Sequence, residues 1–407
     1  MSLNETPSSE RVHIGLFGRR NAGKSSLMNA ITGQSLAVVS DVPGTTTDPV
    51  RKSIELLPIG PVLLIDTPGM DDVGELGAKR VEKARQVLRQ TDVAVLVVDA
   101  RAGKSGEDDE LLELFESGGV PRVTVYSKCD LLESRRPAGR DEMFVSAVTG
   151  ENMEALKEHI ARLTRSESEK LRIVGDLLNP SDFVVLVVPI DKAAPKGRLI
   201  LPQQQTIRDV LEADAAAIVV KEFELRDTLR SLGKRPRMVI TDSQVFAKVS
   251  ADTPPDVDLT SFSILMARYK GVLDEAVRGV IALEKISDGD KILISEGCTH
   301  HRQCDDIGTV KLPRWIRQHT GKKPIFEFTS GGSFPDDLFP YKLIIHCGAC
   351  MLNEREMKHR QREAVSRGVP ITNFGVLIAH MQGILERSVS VFPHLSAELS
   401  ELAEREG

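Results

Sequence analysis

Along the first third of the chain, short unbroken apolar runs alternate with segments in which apolar positions recur at helical spacing. The runs "VHIGLFG", "VLLIDTPG", "DVAVLVVDA", "RVTVYSKCD" and "EMFVSAV" predict strands. Between them "KSSLMNAITG", ending at Gly33, then "GAKRVEKARQVLRQT" and "DDELLELFESG" predict helices, and "MEALKEHIARLT" predicts a last one. Strands this apolar are expected to be buried on both faces, as in a parallel sheet between helix layers. The polar stretch "RSESEK" that follows reads as a linker.

A second segment begins near Pro180. The strands "DFVVLVVP", "AAIVVKE" and "PRMVITDSQ" alternate with the helices "QQQTIRDVLEADA" and "ELRDTLRSLG", a small βαβαβ unit. "TPPDVDLTSF" then leads to a helix around "SILMARYKG". A third segment starts near Asp288. "KILISEG", "IFEFTSG", "YKLIIHCGA" and the short "PITNFG" predict strands. "VKLPRWIRQHTG" contains a helix, "EREMKHRQREAVSRG" is another, and "GVLIAHMQGILERS" closes the chain. No repeat at a fixed short period is visible.

Composition narrows the function classes. The 407 residues carry a net charge of -6 and contain no long Lys/Arg block. That argues against a nucleic-acid binder, whose affinity comes from clustered cations meeting phosphates. The opening "MSLNETPSSE" is polar, and no apolar run is long enough to span a bilayer. A soluble, cytoplasmic protein with no membrane association is expected. Of five cysteines, Cys129 stands alone, while Cys298, Cys304, Cys347 and Cys350 share the last third. An odd, clustered set without an export signal points to metal or redox chemistry rather than disulfides.

"GRRNAGKS" at Gly18–Ser25 fits G-x-x-x-x-G-K-S/T after a strand and before a helix. In such a loop the backbone N–H groups around Gly18, Asn21, Ala22, Gly23 and Ser26 cradle phosphates at a helix N-terminus. Lys24 is placed to reach the β- and γ-phosphates, and Ser25 to ligate magnesium. "DTPG" puts Asp66 on the magnesium and the Gly69 N–H on the γ-phosphate. In "SKCD" the Asp130 carboxylate can accept both hydrogens of guanine's N1–H and 2-amino group, which adenine cannot supply together. The Lys128 stem can cover the base. "SAV" at Ser146–Val148 offers the Ala147 N–H to the guanine oxygen. "PGTTTDP" at Pro43–Pro49 suits a loop that closes when the γ-phosphate is present.

This order of motifs resembles the small GTPases, in particular the bacterial TrmE/Era-like group, over roughly residues 10–165. The resemblance implies GTP/GDP as ligands and Thr46 as a further magnesium ligand. Ser127 stands where that group usually has Asn, keeping a hydroxyl and losing an amide. Met70 stands where Ras-like proteins carry a water-orienting Gln, so slow intrinsic hydrolysis is expected. Asn21 matches the Asn of potassium-activated members, in which a monovalent cation supplies the charge of an arginine finger. It also suits the turn geometry of the loop by itself.

The last third holds "CTH" at Cys298–His300 and "HCGAC" at His346–Cys350, each after a predicted strand. Strand ends of a parallel sheet open on one edge, so the two groups can converge. Cys298, Cys347 and Cys350 can hold three corners of an iron–sulfur cluster. Zinc is the other metal these residues suit, as Cys₃His completed by His300 or His346. A His beside a ligand cysteine can equally be a hydrogen-bonding neighbour. His301 and Cys304 are less clearly placed.

A GTPase segment, a middle βαβ segment and C-x-H…H-C-x-x-C together resemble the [FeFe]-hydrogenase maturation GTPases over essentially the whole chain. "PIDKAAPKGRLILPQ" at Pro189–Gln203 and "EGCTHHRQCDDIG" at Glu296–Gly308 carry the same resemblance. It implies α/β architecture: a P-loop GTPase domain (1–165), a linker (166–179), a dimerisation domain (180–275) and a cluster-binding domain (276–407), the latter two with mainly parallel sheets. It further implies a [4Fe-4S] cluster on the three cysteines and a di-iron precursor received from two radical-SAM maturases. That unit is delivered to apo-[FeFe]-hydrogenase, and the carrier is a homodimer or a higher oligomer. Asp191 is one candidate for a labile ligand between deliveries, or else a cap or loop charge. The competing readings are an RNA-associated TrmE/Era-like GTPase with a zinc-stabilised accessory domain, and an interaction scaffold with a vestigial GTPase.

Overall fold

A computed structural model of the chain describes residues 6–33, 50–67, 75–165, 172–190, 199–297 and 306–406. The chain divides into two compact units, Met1–Glu169 and Lys170–Gly407.

In the first unit the strands β1 (Val12–Phe17), β2 (Val50–Leu56), β3 (Gly60–Asp66), β4 (Val93–Asp99), β5 (Arg122–Ser127) and β6 (Glu142–Phe144) form one sheet in the order β2-β3-β1-β4-β5-β6. The pairs are parallel except β2 with β3. Side chains alternate across a strand, and both faces of β4 are buried. Val93, Val95 and Val97 join a core that includes Leu27, Met28 and Ile31 of the helix Lys24–Thr32 and Leu156 and Ile160 of the helix Met153–Arg165. Ala94, Leu96 and Val98 join the opposite core with Ala84 and Val87 of the helix Glu75–Arg89 and Leu111 and Phe115 of the helix Gly106–Ser117.

The second unit contains two parallel sheets. The strands β7 (Phe183–Val187), β8 (Ala216–Val220), β9 (Met238–Thr241) and β10 (Asp258–Ser261) form the order β10-β9-β7-β8. The strands β11 (Lys291–Glu296), β12 (Ile325–Ser330), β13 (Tyr341–His346) and β14 (Ile371–Asn373) form the order β12-β11-β13-β14. The fold is therefore α/β, a P-loop unit followed by two further mainly parallel sheets. One continuous apolar core serves both sheets, from Val185 and Ile240 to Ile294 and Ile345. Ile173 and Val174, within the stretch read as a linker, are buried in that core.

Two strands escape the apolar pattern. β2 has only Leu56 buried and places Arg51 in the open, because it is an antiparallel edge strand. β10 is short and mixes Asp258, Thr260 and Ser261 with Leu259, yet three of its four residues are buried. The predicted closing helix is broken into Phe374–Met381 and Leu385–Val389, and a further helix, Pro393–Glu406, follows. The break is at Gly383, whose φ of 68° suits the left-handed position after a helix end. Its N–H returns to the His380 carbonyl at 2.9 Å.

Candidate functional site

The nucleotide residues gather at the C-terminal edge of the first sheet because β1, β3 and β5 are parallel. Leu16 is in register with Asp66, and Asp99 with Ser127. Gly18 leaves β1 with φ 135°, and a Cβ there would lie 2.2 Å from the Val97 carbonyl oxygen, so no other residue fits. Asn21 (φ 58°) and Gly23 (φ 98°) complete the turn into the helix Lys24–Thr32. Lys24 is buried, with Nζ donating to the carbonyls of Gly18 (2.8 Å) and Arg19 (2.7 Å). Ser25 Oγ donates to Asp66 Oδ2 at 2.7 Å.

Asp66 is 8% exposed and its other oxygen, Oδ1, is buried with no hydrogen-bond partner among the described residues. Burial raises its pKa, while the Ser25 hydroxyl and the Lys24 ammonium oppose the rise. A buried carboxylate oxygen without a partner, next to a serine hydroxyl, fits a magnesium ion: Ser25 and Asp66 would both hold it. Thr46, Gly69 and Met70 lie outside the described residues.

On the base side, Ser127 ends β5 and donates its hydroxyl to the carbonyl of Ala22 in the phosphate loop and to that of Val98 (3.2 Å). Ser127 thus ties the end of β5 to the phosphate loop. Lys128 adopts φ 58°, with Nζ on the Asn21 carbonyl (2.6 Å) and Asp99 Oδ2 (2.8 Å). Asp130 is exposed beside it, and Ala147 is half-buried. Buried Ser146 holds the next turn, its Oγ accepting from the N–H groups of Val148 (3.3 Å) and Thr149 (3.1 Å).

In the second unit β11 and β13 are adjacent and parallel, with Ser295 opposite His346. Their C-terminal ends therefore meet. The Gly297 N–H donates to Cys347 Sγ at 3.0 Å, and the Ala349 N–H donates to the same sulfur at 3.3 Å. Two backbone N–H groups thus converge on one sulfur and fix its position. Ala349 takes φ 52° in this tight turn. Burial pushes the Cys350 thiol up, and the cation of buried Lys270 opposes that shift. Lys270 also clamps the turn by donating to the Leu352 carbonyl at 2.8 Å. Cys298, His300, His301, Cys304 and Asp191 lie outside the described residues, although Gly297 immediately precedes Cys298. A tight turn that presents two cysteines, beside a strand that runs straight into a third, fits a cysteine-held cluster.

Behind this turn is a buried polar network that the sequence pattern did not disclose. Arg360 is fully buried. Its Nε donates to Glu356 Oε1 (2.8 Å), Nη2 to the Gly331 carbonyl (2.9 Å) and Nη1 to Ser295 Oγ (3.3 Å) and His346 Nε2 (3.0 Å). The guanidinium also lies over the Phe334 ring, 5.1 Å from its centroid. His346 Nδ1 is 3.0 Å from the Cys347 carbonyl, so the proton belongs on Nδ1 and Nε2 accepts. Burial and the Arg360 charge push the His346 pKa down to about 3, keeping the ring neutral. Glu356 and Arg360 are one helical turn apart, a spacing that reads as an ordinary surface ion pair.

Comparison with known proteins places each segment. Residues 13–128 match the family described as "50S ribosome-binding GTPase". Residues 173–271 match "Hydrogen maturase F dimerization domain" and residues 274–391 match "Hydrogen maturase F tetramerization domain". The last two together take in more than half of the chain. Among curated relatives, "GTPase Der" of Kosmotoga olearia is 30% identical over 54% of this chain and 55% of its own length. "tRNA modification GTPase MnmE" of Nitrosomonas europaea is 34% identical over 41% of this chain and 37% of its own length. The chain thus spans about half or less of these relatives. Among solved structures, Era of Aquifex aeolicus bound to GDP and AlF4- is 20% identical with a TM-score of 0.35, covering 54% of this chain and 98% of that one.

Proposed function

The chain belongs to the hydrogen maturase F family, and we propose that it is a GTP-hydrolysing scaffold that holds a [4Fe-4S] cluster on Cys298, Cys347 and Cys350 and carries a di-iron precursor to apo-[FeFe]-hydrogenase. The observation that carries this reading is the junction of β11 and β13, where the backbone leading to Cys298 donates a hydrogen bond to Cys347 Sγ. In support of the GTPase part, Lys24, Ser25 and Asp66 lie together at one sheet edge with a buried carboxylate oxygen left for a cation. Thr46 and the Gly69 N–H would complete the switch, and Met70 would leave hydrolysis slow, with potassium at Asn21 assisting.

Three thiolates leave the bound cluster one iron whose remaining position can exchange ligands. The chain's own contribution is to hold the sulfurs. The Gly297 and Ala349 N–H groups hold the Cys347 sulfur in place, Lys270 fixes the turn around Cys350, and Arg360 with His346 props the end of β13. Both nitrogens of His346 are engaged within the protein, which favours a positioning role over ligation. His300 and Asp191 are then the protein groups left for the exchangeable position. Residues 1–165 act as the switch, 180–275 as the dimerisation segment and 276–407 as the cluster segment. GTP binding changes the switch-loop conformation and thereby the affinity for a maturase or the hydrogenase. The working form is a cytoplasmic homo-oligomer.

Activation of apo-[FeFe]-hydrogenase tests the proposal. Cys298→Ala, Cys347→Ala and Cys350→Ala should each abolish activation and lower the iron and sulfide content. Lys24→Ala should keep the cluster and lose GTP turnover. Full activation by the cysteine variants, or one tightly held zinc and no iron after anaerobic purification, would overturn the carrier reading.

A further inference from the structure

Glu284, His319 and His380 are far apart in the chain and meet on the second unit's surface. Glu284 is in the short 3-10 helix Val280–Lys285, just before β11. His319 is in the last turn of the helix Leu312–Thr320, which leads into β12. His380 is in the last turn of the helix Phe374–Met381, which starts at the end of β14 and runs back. All three therefore lie at the N-terminal edge of the sheet, opposite the edge that carries the cysteine turn.

Both imidazoles address one carboxylate oxygen. Glu284 Oε1 is 2.9 Å from His319 Nε2 and 2.8 Å from His380 Nε2, and one donor atom from each residue lies within 4.8 Å of the others. The rings approach to 6.0 Å at an angle of 58°, so they converge on the oxygen without stacking. Burial alone would raise the Glu284 carboxyl, but the hydrogen bonds from His319 and His380 outweigh it and hold it below its ordinary value. The carboxylate is thus an anion at neutral pH. Two helix C-termini add partial negative charge at the same place, which suits a cation. The side chains are part-exposed, 48% for Glu284, 27% for His319 and 24% for His380, so an ion can reach them from solvent.

We propose that Glu284, His319 and His380 form a second metal site, a two-histidine, one-carboxylate set for a divalent transition ion such as zinc. Imidazole and carboxylate together suit zinc, ferrous iron or nickel rather than magnesium or calcium, which take oxygen ligands. To take the ion, each ring would carry its proton on Nδ1, freeing the Nε2 lone pair, and each Nε2 would move slightly away from the carboxylate oxygen to make room. Three protein ligands leave at least one position to water or to an incoming donor. The site uses none of the cluster cysteines.

The test is Co2+ binding to the full-length chain with Cys298→Ser, Cys347→Ser and Cys350→Ser, and in parallel to the unmodified chain. Cobalt on thiolates shows a sulfur-to-metal charge-transfer band, whereas cobalt on nitrogen and oxygen shows weak visible bands alone. The expected result is one cobalt per chain of the second kind, displaced by Zn2+, in both backgrounds. His319→Gln and His380→Gln should each weaken it by about tenfold or more, and the double variant should lose it. Fluorescence of Trp315, in the helix that carries His319, reports that each variant is folded. An undiminished nitrogen–oxygen cobalt spectrum in the folded double variant overturns the proposal. So does the lack of any such spectrum in the folded parent.

Discussion

Replacing Arg360 by Ala should strongly destabilise the second unit, and the cost can be worked from its surroundings. The side chain is fully buried and its partner Glu356 is only 7% exposed. Removing one member of a buried pair leaves an uncompensated charge and costs about 3–5 kcal/mol. Glu356 Oε2 already lacks a partner among the described residues, so no other donor there offsets that charge. The Gly331 carbonyl and His346 Nε2 also lose their donor, and the cation over Phe334 is lost. We therefore expect a loss of about 4 kcal/mol, a large share of a domain's usual 5–15 kcal/mol. Unfolding of the apo chain in urea, followed by Trp315 fluorescence, measures it. Trp315 is the single tryptophan and packs against the core of this unit, so the signal ignores the nucleotide unit. The paired variant Arg360→Met with Glu356→Gln removes both charges and should recover more than half of the loss. A loss under about 1 kcal/mol for Arg360→Ala, or no recovery in the paired variant, would refute the reasoning.

Ser127→Ala removes the hydroxyl that ties β5 to the phosphate loop, and fluorescent-GDP titration should show roughly tenfold weaker binding, at about 1–1.5 kcal/mol for a hydrogen bond lost; unchanged affinity would contradict the tie. GTP turnover should be faster in potassium than in sodium chloride, with Asn21→Ala abolishing the difference; equal rates in the two salts for the parent would remove potassium from the mechanism. The Glu142 carboxyl is pulled down to about 2, chiefly by its hydrogen bond from Arg136, with burial opposing and the Gly139 N–H and Tyr126 hydroxyl assisting. Because its folded value is below the ordinary one, its stabilising contribution is present above about pH 4.5 and is lost as the pH falls towards 2. Calorimetry of the GDP-sensitive transition should show a steeper decline over that range for the parent than for Glu142→Gln; parallel profiles would deny Glu142 that role.

The apolar pattern marked out strands buried on both faces, such as β4 and β5, and also β8 and β12, whose residues are only partly covered. β2 and β10 were missed because an edge strand need not be apolar and a short polar strand can be buried by its neighbours. The chemistry followed the same rule. A phosphate loop compresses its donors into consecutive residues, so Gly18, Lys24 and Ser25 announce themselves. Arg360 and Glu356 have the spacing of a solvated ion pair, and nothing in the helix pattern reveals that this face lies against Ser295 and His346.

Local chain geometry was enough to specify the phosphate loop, the parallel α/β plan and the C-x-x-C turn, because each is built from neighbours along the backbone or from a short repeating period. Packing alone decided the rest. It set Gly297 against Cys347, buried Arg360 behind His346, and drew Glu284, His319 and His380 to one carboxylate oxygen. Those contacts join residues 14 to 96 positions apart, and sequence spacing does not bring them together. Where they are buried, as around Arg360, the cost of taking charge out of water is offset only by partners that the closed fold supplies.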